Sequence, residues 1–295
     1  MDDGLYLGLP EADYHAEPRL SASGIKKLLI SPLDFWAWSW LNPEREDEQS
    51  EFMAIGKVYH KRIVEGREAF QACYAPALDQ ADHPNALRTV AELQEFIRSK
   101  GCKPAKGRAD LIVQAAITDP GVEIWDTLSR EHAAHYAGKE LLDHALIRRI
   151  EIAAAMIERH PQLSKCFTGG QPEVSIFWSH DGMPWKARLD YLKPRAIIDL
   201  KTFSNPYGKP IDRAISTAMA GGRYHIQAAV YHDAAERARE FARDGRGYRY
   251  GAQLCDEDVA WFKRLAAPAE AEFVFVFQQT GNAPVAKGKL FPRGL

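Results

Sequence analysis

The sequence predicts an α/β (α+β) chain: a central mixed β-sheet flanked by helices, with a helical N-terminal region. Three observations predict it. Apolar residues up to about residue 165 recur at helical spacing. From Glu173 the period changes to two, with a turn-linked pair of strands. Two further short apolar strands follow, with helices between them. The whole chain, 1–295, reads as one domain: a mostly helical part over 1–165, a core over 166–280, and a tail over 281–295.

The elements follow in order. Leu5 to Ser21 is turn-rich and extended. Ser21 or Ser23 caps a helix whose stripe is Ile25, Leu28 and Leu29, and Ser31-Pro32 interrupts it. Asp34 to Leu41 carries Phe35, Trp36, Trp38 and Trp40; so many aromatics predict core, ahead of a base-stacking platform. Phe52 to Glu65 is a helix with Gly56 and His60 on one face. Cys73 to Lys106 is irregular apart from a short helix at 86–99. Asp126 to Arg159 reads as two helices, closed by Pro161. Glu173 to Trp178 and Trp185 to Leu192 form a hairpin about His180-Asp181-Gly182-Met183-Pro184. Ala196 to Lys201 is a short buried strand. Ile211–Ala220 and Tyr224–Ala242 are helices, divided by Gly221-Gly222. Glu272 to Phe277 is a strand buried on both faces.

Composition narrows the class. Hydrophobic content of 46% and charged content of 26% are those of an ordinary globular protein. No apolar run reaches the roughly 20 residues that span a bilayer, so no membrane partner is expected. The acidic start, Met1-Asp2-Asp3-Gly4, lacks the features of a signal peptide. Cys73, Cys102, Cys166 and Cys255 are scattered, which argues against a disulfide or zinc framework and for the cytoplasm. A net charge of −2 disfavours a passive DNA coat but is compatible with an enzyme whose carboxylates are offset by metal ions. The arginines from Arg237 to Arg249 are interleaved with acids and read as a solvated face.

The chemistry centres on Asp190, Asp199 and Lys201. Residues two apart on a strand share a face, so Asp199 and Lys201 project together, and Asp190 faces them if the strands are neighbours. Carboxylate oxygens bind Mg²⁺ or Mn²⁺. Such an ion orients a phosphate and activates water, while a lysine positions the water or neutralises charge. An isolated Asp-x-Lys is most often a salt-bridged strand end, and the surrounding motifs must decide. His132-Ala133-Ala134-His135 lacks the Glu and the spacing of a zinc protease, and no glycine pair has a P-loop ending.

Six ordered motifs supply that decision. They are Leu20-Ser21-Ala22-Ser23 with Ser31-Pro32, Gly56-Lys57-Val58-Tyr59-His60, Glu173 to Trp178, Arg188-Leu189-Asp190, Asp199-Leu200-Lys201, and Gln227 to Tyr231. Together they resemble the PD-(D/E)xK nuclease superfamily, more narrowly the exodeoxyribonuclease VIII (RecE) type, related to RecB-type nuclease domains and lambda exonuclease. The likeness runs from about Tyr14 to Phe277. The chain departs from the pattern at Leu189, where the family has Pro. It also departs in an apparent insertion at about 236–268, a DNA-facing flap or inert surface, and in a short C-terminal tail.

The resemblance implies the roles. His60, Asp190 and Asp199 hold a metal ion, with the Leu200 carbonyl as a further ligand and Glu173 serving a second ion or its waters. Lys201 acts on the water. Gln227 and Tyr231, one turn apart, orient Lys201 or contact DNA. The implied activity is Mg²⁺-dependent (or Mn²⁺-dependent) exonuclease action on double-stranded DNA ends, 5′ to 3′, in phage or prophage recombination. It also implies a single-strand annealing protein as partner, and a homo-oligomer that the short tail puts in question. An endonuclease or single-strand-specific nuclease of the same superfamily, and a non-catalytic DNA-binding protein of the same fold, are the rival expectations.

Overall fold

The structure, a computed structural model, describes residues 1–45, 51–267, 270–281 and 283–292. The chain forms two compact units: Met1–Phe70 with Arg149–Leu295, and Gln71–Arg148. The first opens with β1 (Gly4–Leu7), α1 (Glu11–Ala16), α2 (Ala22–Leu28), α3 (Pro32–Trp38), α4 (Glu51–Val64) and α5 (Arg67–Cys73). The second holds β2 (Tyr74–Pro76), α6 (Val90–Ser99), α7 (Arg108–Thr118), α8 (Trp125–His135) and β3 (Glu140–Leu142). The chain continues through α9 (His144–Arg159), β4 (Gln171–His180), β5 (Met183–Lys193) and β6 (Ala196–Phe203). It ends with α10 (Ile211–Gly221), α11 (Tyr224–Arg243), β7 (Gly247–Arg249), α12 (Asp256–Ala266), β8 (Glu272–Gln279) and β9 (Ala286–Phe291).

The second unit is small and helical. Thr89 and Glu92 cap α6 reciprocally, and α6 and α7 bury Leu93, Ile97, Leu111 and Ala115 around Ile124. Strands β2 and β3 pair in parallel. Of this unit, the sequence signalled α6 and α8; β2 falls in the stretch read as irregular, α7 in residues given no reading, and β3 interrupts the stretch read as two helices.

The first unit is built on a seven-stranded mixed sheet in the order β7-β1-β4-β5-β6-β8-β9. The β4–β5 hairpin and β6 pair antiparallel, while β6 and β8 run parallel, joined through helices α10 to α12 as a parallel crossover requires. Alternating residues of β4 and β5, together with Phe273, Phe275 and Phe277 of β8, bury one face of the sheet. Ala228, Ala234, Ala235 and Ala238 of α11 pack among them. Alanine at these positions lets a long helix lie close to the sheet. That closeness brings side chains of α11 within reach of β6.

Four expectations change. The Leu5–Ser21 segment is not merely extended: it supplies β1, a strand inside the sheet, and helix α1. The tryptophan-rich segment is not core. Helix α3 buries no residue, and Trp36 and Trp38 remain 44% and 43% exposed; only Phe35 turns inward, against Gly24. The 236–268 stretch is neither flap nor inert surface. Helix α11 runs on to Arg243, β7 extends the sheet edge, and Trp261, Phe262 and Leu265 of α12 enter the main core. Its arginines are likewise not uniformly solvated, since Arg239 is buried and Arg249 pairs with the buried Asp258. The tail is partly structured, with β9 pairing antiparallel with β8. The end of the expected insertion (268) and parts of the tail (282, 293–295) lie outside the described residues. Among those residues no helix is long and apolar enough to cross a membrane.

Candidate metal centre

The site lies where β4, β5, β6, α4 and α11 meet. On β4 and β5, Pro172 pairs with Tyr191 and Val174 with Leu189. Glu173 therefore stands directly opposite Asp190. Like charges in that relation repel, and both side chains are only 15–20% exposed, which raises the repulsion further. The Glu173 backbone is left-handed, φ 53°, a conformation that is unfavourable for a residue with a Cβ. Two opposed acids and a strained backbone amount to an arrangement that cations must hold together.

One such cation comes from α4. His60 Nε2 lies 3.3 Å from Glu173 Oε1 and 3.4 Å from Asp190 Oδ2. Gly56, one turn earlier, lets α4 approach β6: a Cβ there would stand 3.2 Å from Thr202 Oγ1. Burial on its own would lower the His60 pKa, but Asp190 and Glu173 outweigh it and hold it up at about 9. Burial pushes the Glu173 carboxyl up, against the pull of His60 and Arg188. Burial also opposes ionisation of Asp190, yet His60, Lys201 and the Leu200 N–H keep its carboxyl below the ordinary value.

A second cluster adjoins the first. Asp199 is fully buried on β6. Its Oδ1 pairs with Lys201 Nζ at 2.5 Å, and its Oδ2 accepts from Gln227 Nε2 at 2.6 Å. Burial and the Asp190 charge raise its carboxyl to about 7 despite Lys201. Burial would lower Lys201, but Asp199 and Asp190 raise it above the ordinary lysine value, so it is an ammonium. Leu200 N–H donates to Asp190 Oδ2 at 2.8 Å and ties the clusters together. A residue's N–H and C=O face the same neighbouring strand, so the Leu200 carbonyl is also on the β5 side. Burial raises the Tyr231 phenol well above the usual value, and the nearby Asp199 and Asp190 charges add to the rise.

All the residues singled out from the sequence, His60, Glu173, Asp190, Asp199, Leu200, Lys201, Gln227 and Tyr231, thus converge. His60, Glu173 and Asp190 offer one imidazole nitrogen and two carboxylate oxygens within 4.8 Å of one another. That donor set suits a divalent ion. Asp199 is outside this trio and is held by Lys201 and Gln227 instead. Two further neighbours carry charge here: Lys26 had gone unremarked, and Arg188 had been named only as the start of its motif. Lys26 on α2 places its Nζ 5.3 Å from the Tyr224 ring centroid, the same distance as Lys201; burial, with Lys201 adding to it, brings Lys26 down to about 8. Arg188 forms an ion pair with Glu173. The sequence signal for Arg188 was its place two residues before Asp190 on one strand face. Lys26 had none, because only the fold brings α2 near β6.

A mixed sheet whose hairpin and next strand deliver opposed carboxylates and an Asp-x-Lys pair to one helix-flanked site defines a PDDEXK-like protein. The chain belongs to the family described as PDDEXK-like domain of unknown function (DUF3799), whose profile matches residues 21–243. It is also similar to a crystal structure from Eubacterium rectale provisionally named an exonuclease, at 16% identity and a TM-score of 0.46, over 97% of this chain and 79% of that one. That likeness is too distant to carry an argument about function. No curated protein matches the sequence significantly.

Proposed function

We propose that the chain is a metal-dependent DNA nuclease of the RecE type, hydrolysing phosphodiester bonds from the ends of double-stranded DNA. The observation that carries this reading is the convergence of His60, Glu173 and Asp190 within 4.8 Å, beside the Asp199–Lys201 pair. His60, Asp190 and Glu173 hold the divalent ion, Mg²⁺ or Mn²⁺, and Asp199 and the Leu200 carbonyl complete its surroundings. When bound, the ion supplies Lewis acidity at the phosphate and lowers the pKa of a nearby water.

The remaining chemistry belongs to the chain. A water oxygen bonds to phosphorus, the 3′ oxygen leaves with a proton, and the product carries a 5′ phosphate. Lys201 is an ammonium, so it acts by orienting the water and offsetting charge on the phosphoryl oxygens, and does not abstract a proton. Gln227 fixes the rotamer of Asp199, and Tyr231 lies one turn further along the same helix face. His60 must lose its proton before it can ligate, which links metal binding to pH.

The test uses linear and closed circular duplexes with Mg²⁺ or Mn²⁺. Linear DNA should be shortened from its ends while circles persist, and a 5′ label should be released before a 3′ label. Cleavage of closed circles would replace the exonuclease reading by an endonuclease one. DNA binding with no hydrolysis under either metal would leave a non-catalytic binding protein. The recombination setting, the annealing partner and the homo-oligomer rest on the family resemblance, and the cytoplasmic location rests on the scattered cysteines.

A further inference from the structure

Arg188 precedes Asp190 by two residues on β5 and so shares its strand face. Its Nε donates to Glu173 Oε2, and its Nη1 donates to the Leu9 carbonyl at 2.8 Å. Its guanidinium stands 5.8 Å from the centroid of the Tyr14 ring. Two residues earlier, Lys186 Nζ donates to the carbonyls of Tyr14, His15 and Glu17 at 2.8 to 3.2 Å. Residues 9–17 are therefore anchored to β5 by two cations. Arg188 reaches from that anchored segment to one oxygen of Glu173. The other oxygen, Oε1, is left facing His60.

We propose that Arg188 is a positioning residue of the metal centre. It engages Glu173 Oε2, so that Oε1 stays aimed at the ion held by His60 and Asp190, and it braces this arrangement against Leu9 and Tyr14. The inference rests on reading the trio as a metal site. Glutamate has several rotatable bonds, and here it stands on a left-handed backbone opposite a second acid. Without the guanidinium, repulsion from Asp190 swings the carboxylate away. A fixed planar fork does this where a flexible ammonium does not.

The geometry makes a prediction opposite in sign to simple charge balance. A positive side chain beside a cation site should weaken metal binding, so removing it should tighten binding if charge were its whole effect. Positioning requires the reverse. The experiment measures Mn²⁺ binding to the full chain without DNA, by electron paramagnetic resonance, for the wild type, Arg188→Gln, Arg188→Lys, Glu173→Gln and the double variant Arg188→Gln with Glu173→Gln.

Arg188→Gln should weaken Mn²⁺ binding by about 10–100-fold. Arg188→Lys, which keeps the charge and loses the fork, should retain most of that loss. In a Glu173→Gln background Arg188→Gln should add little, because its target is gone. Equal or tighter binding by Arg188→Gln overturns the proposal. So does full recovery in Arg188→Lys, or an independent loss in the double variant. Should Arg188→Gln not fold, Arg188→Lys and the Glu173 comparison still decide. A wild type that binds no Mn²⁺ would remove the metal reading itself, whereas binding that is indifferent to Arg188 removes this inference alone.

Discussion

Gln227 on α11 donates its side-chain amide to Asp199 Oδ2 on β6 at 2.6 Å, 28 residues apart in sequence and buried. The bond sets the orientation of a carboxylate that has no other anchor on that oxygen among the described residues. It also explains why α11 is lined with alanines: only close packing brings Gln227 within reach.

The first prediction concerns this bond. Gln227→Ala leaves a buried acceptor unpaired, which costs about 1–3 kcal/mol, and releases the Asp199 rotamer. Nuclease activity should fall about 10–100-fold, with the thermal midpoint reduced. Unchanged activity in a folded variant would show that Asp199 is held without Gln227.

Lys201→Ala and Asp190→Ala test the chemistry. Each should reduce hydrolysis of linear duplex by about 10²–10³-fold or more, with circular dichroism preserved. Full activity in either variant sinks the assignment. Glu173→Ala should reduce activity less than Asp199→Ala; equal and total loss in both would place Glu173 among the indispensable ligands.

The pH dependence follows from His60. Its folded pKa, about 9, exceeds the usual 6.5. A raised pKa stabilises the fold fully below pH 6.5, and that contribution is lost as pH rises through 9. Asp199, raised to about 7, acts with the same sign between about pH 4 and 7. The metal-free thermal midpoint should therefore decline from pH 6.5 to 9, and His60→Gln should flatten the decline. Mn²⁺ affinity should rise over the same window, because ligation requires neutral His60. A midpoint that climbs towards pH 9 in the wild type contradicts the proposed His60 environment.

Metal removal and replacement give a further check. Chelation should abolish hydrolysis, and Mn²⁺ should bind more tightly than Mg²⁺, because an imidazole ligand suits the softer ion. Calorimetric titration of the apo protein with each ion measures this. Tighter Mg²⁺ binding would mean that His60 is not a ligand.

Gly56 offers a structural test far from charge. Gly56→Ala must displace Thr202 Oγ1 by a few tenths of an ångström and should be mild. Gly56→Leu should push α4 from β6, destabilise by about 1–3 kcal/mol, and lower activity by moving His60. A Leu variant with wild-type stability and activity would show that α4 does not need this contact.

Much of the site was legible because strand periodicity is local. Period two put Asp199 and Lys201 on one face, and the turn at Asp181-Gly182 made the hairpin that carries Glu173 and Asp190. Helical spacing put Gly56 with His60 and Gln227 with Tyr231 on shared faces, but only the family resemblance marked them as candidate site residues. The chain by itself therefore determined the class of fold and marked out the candidate residues for the chemistry. Tertiary structure decided what those residues touch. It set Glu173 opposite Asp190 with His60 beside both, paired Asp199 with Lys201 and Gln227, and brought Arg188 to Glu173. It also turned Trp36 and Trp38 outward and drew Trp261 and Phe262 into the core. Local pattern reports the direction a side chain faces along its own element. Which partner lies there, and whether water does, depends on packing between segments tens to hundreds of residues apart.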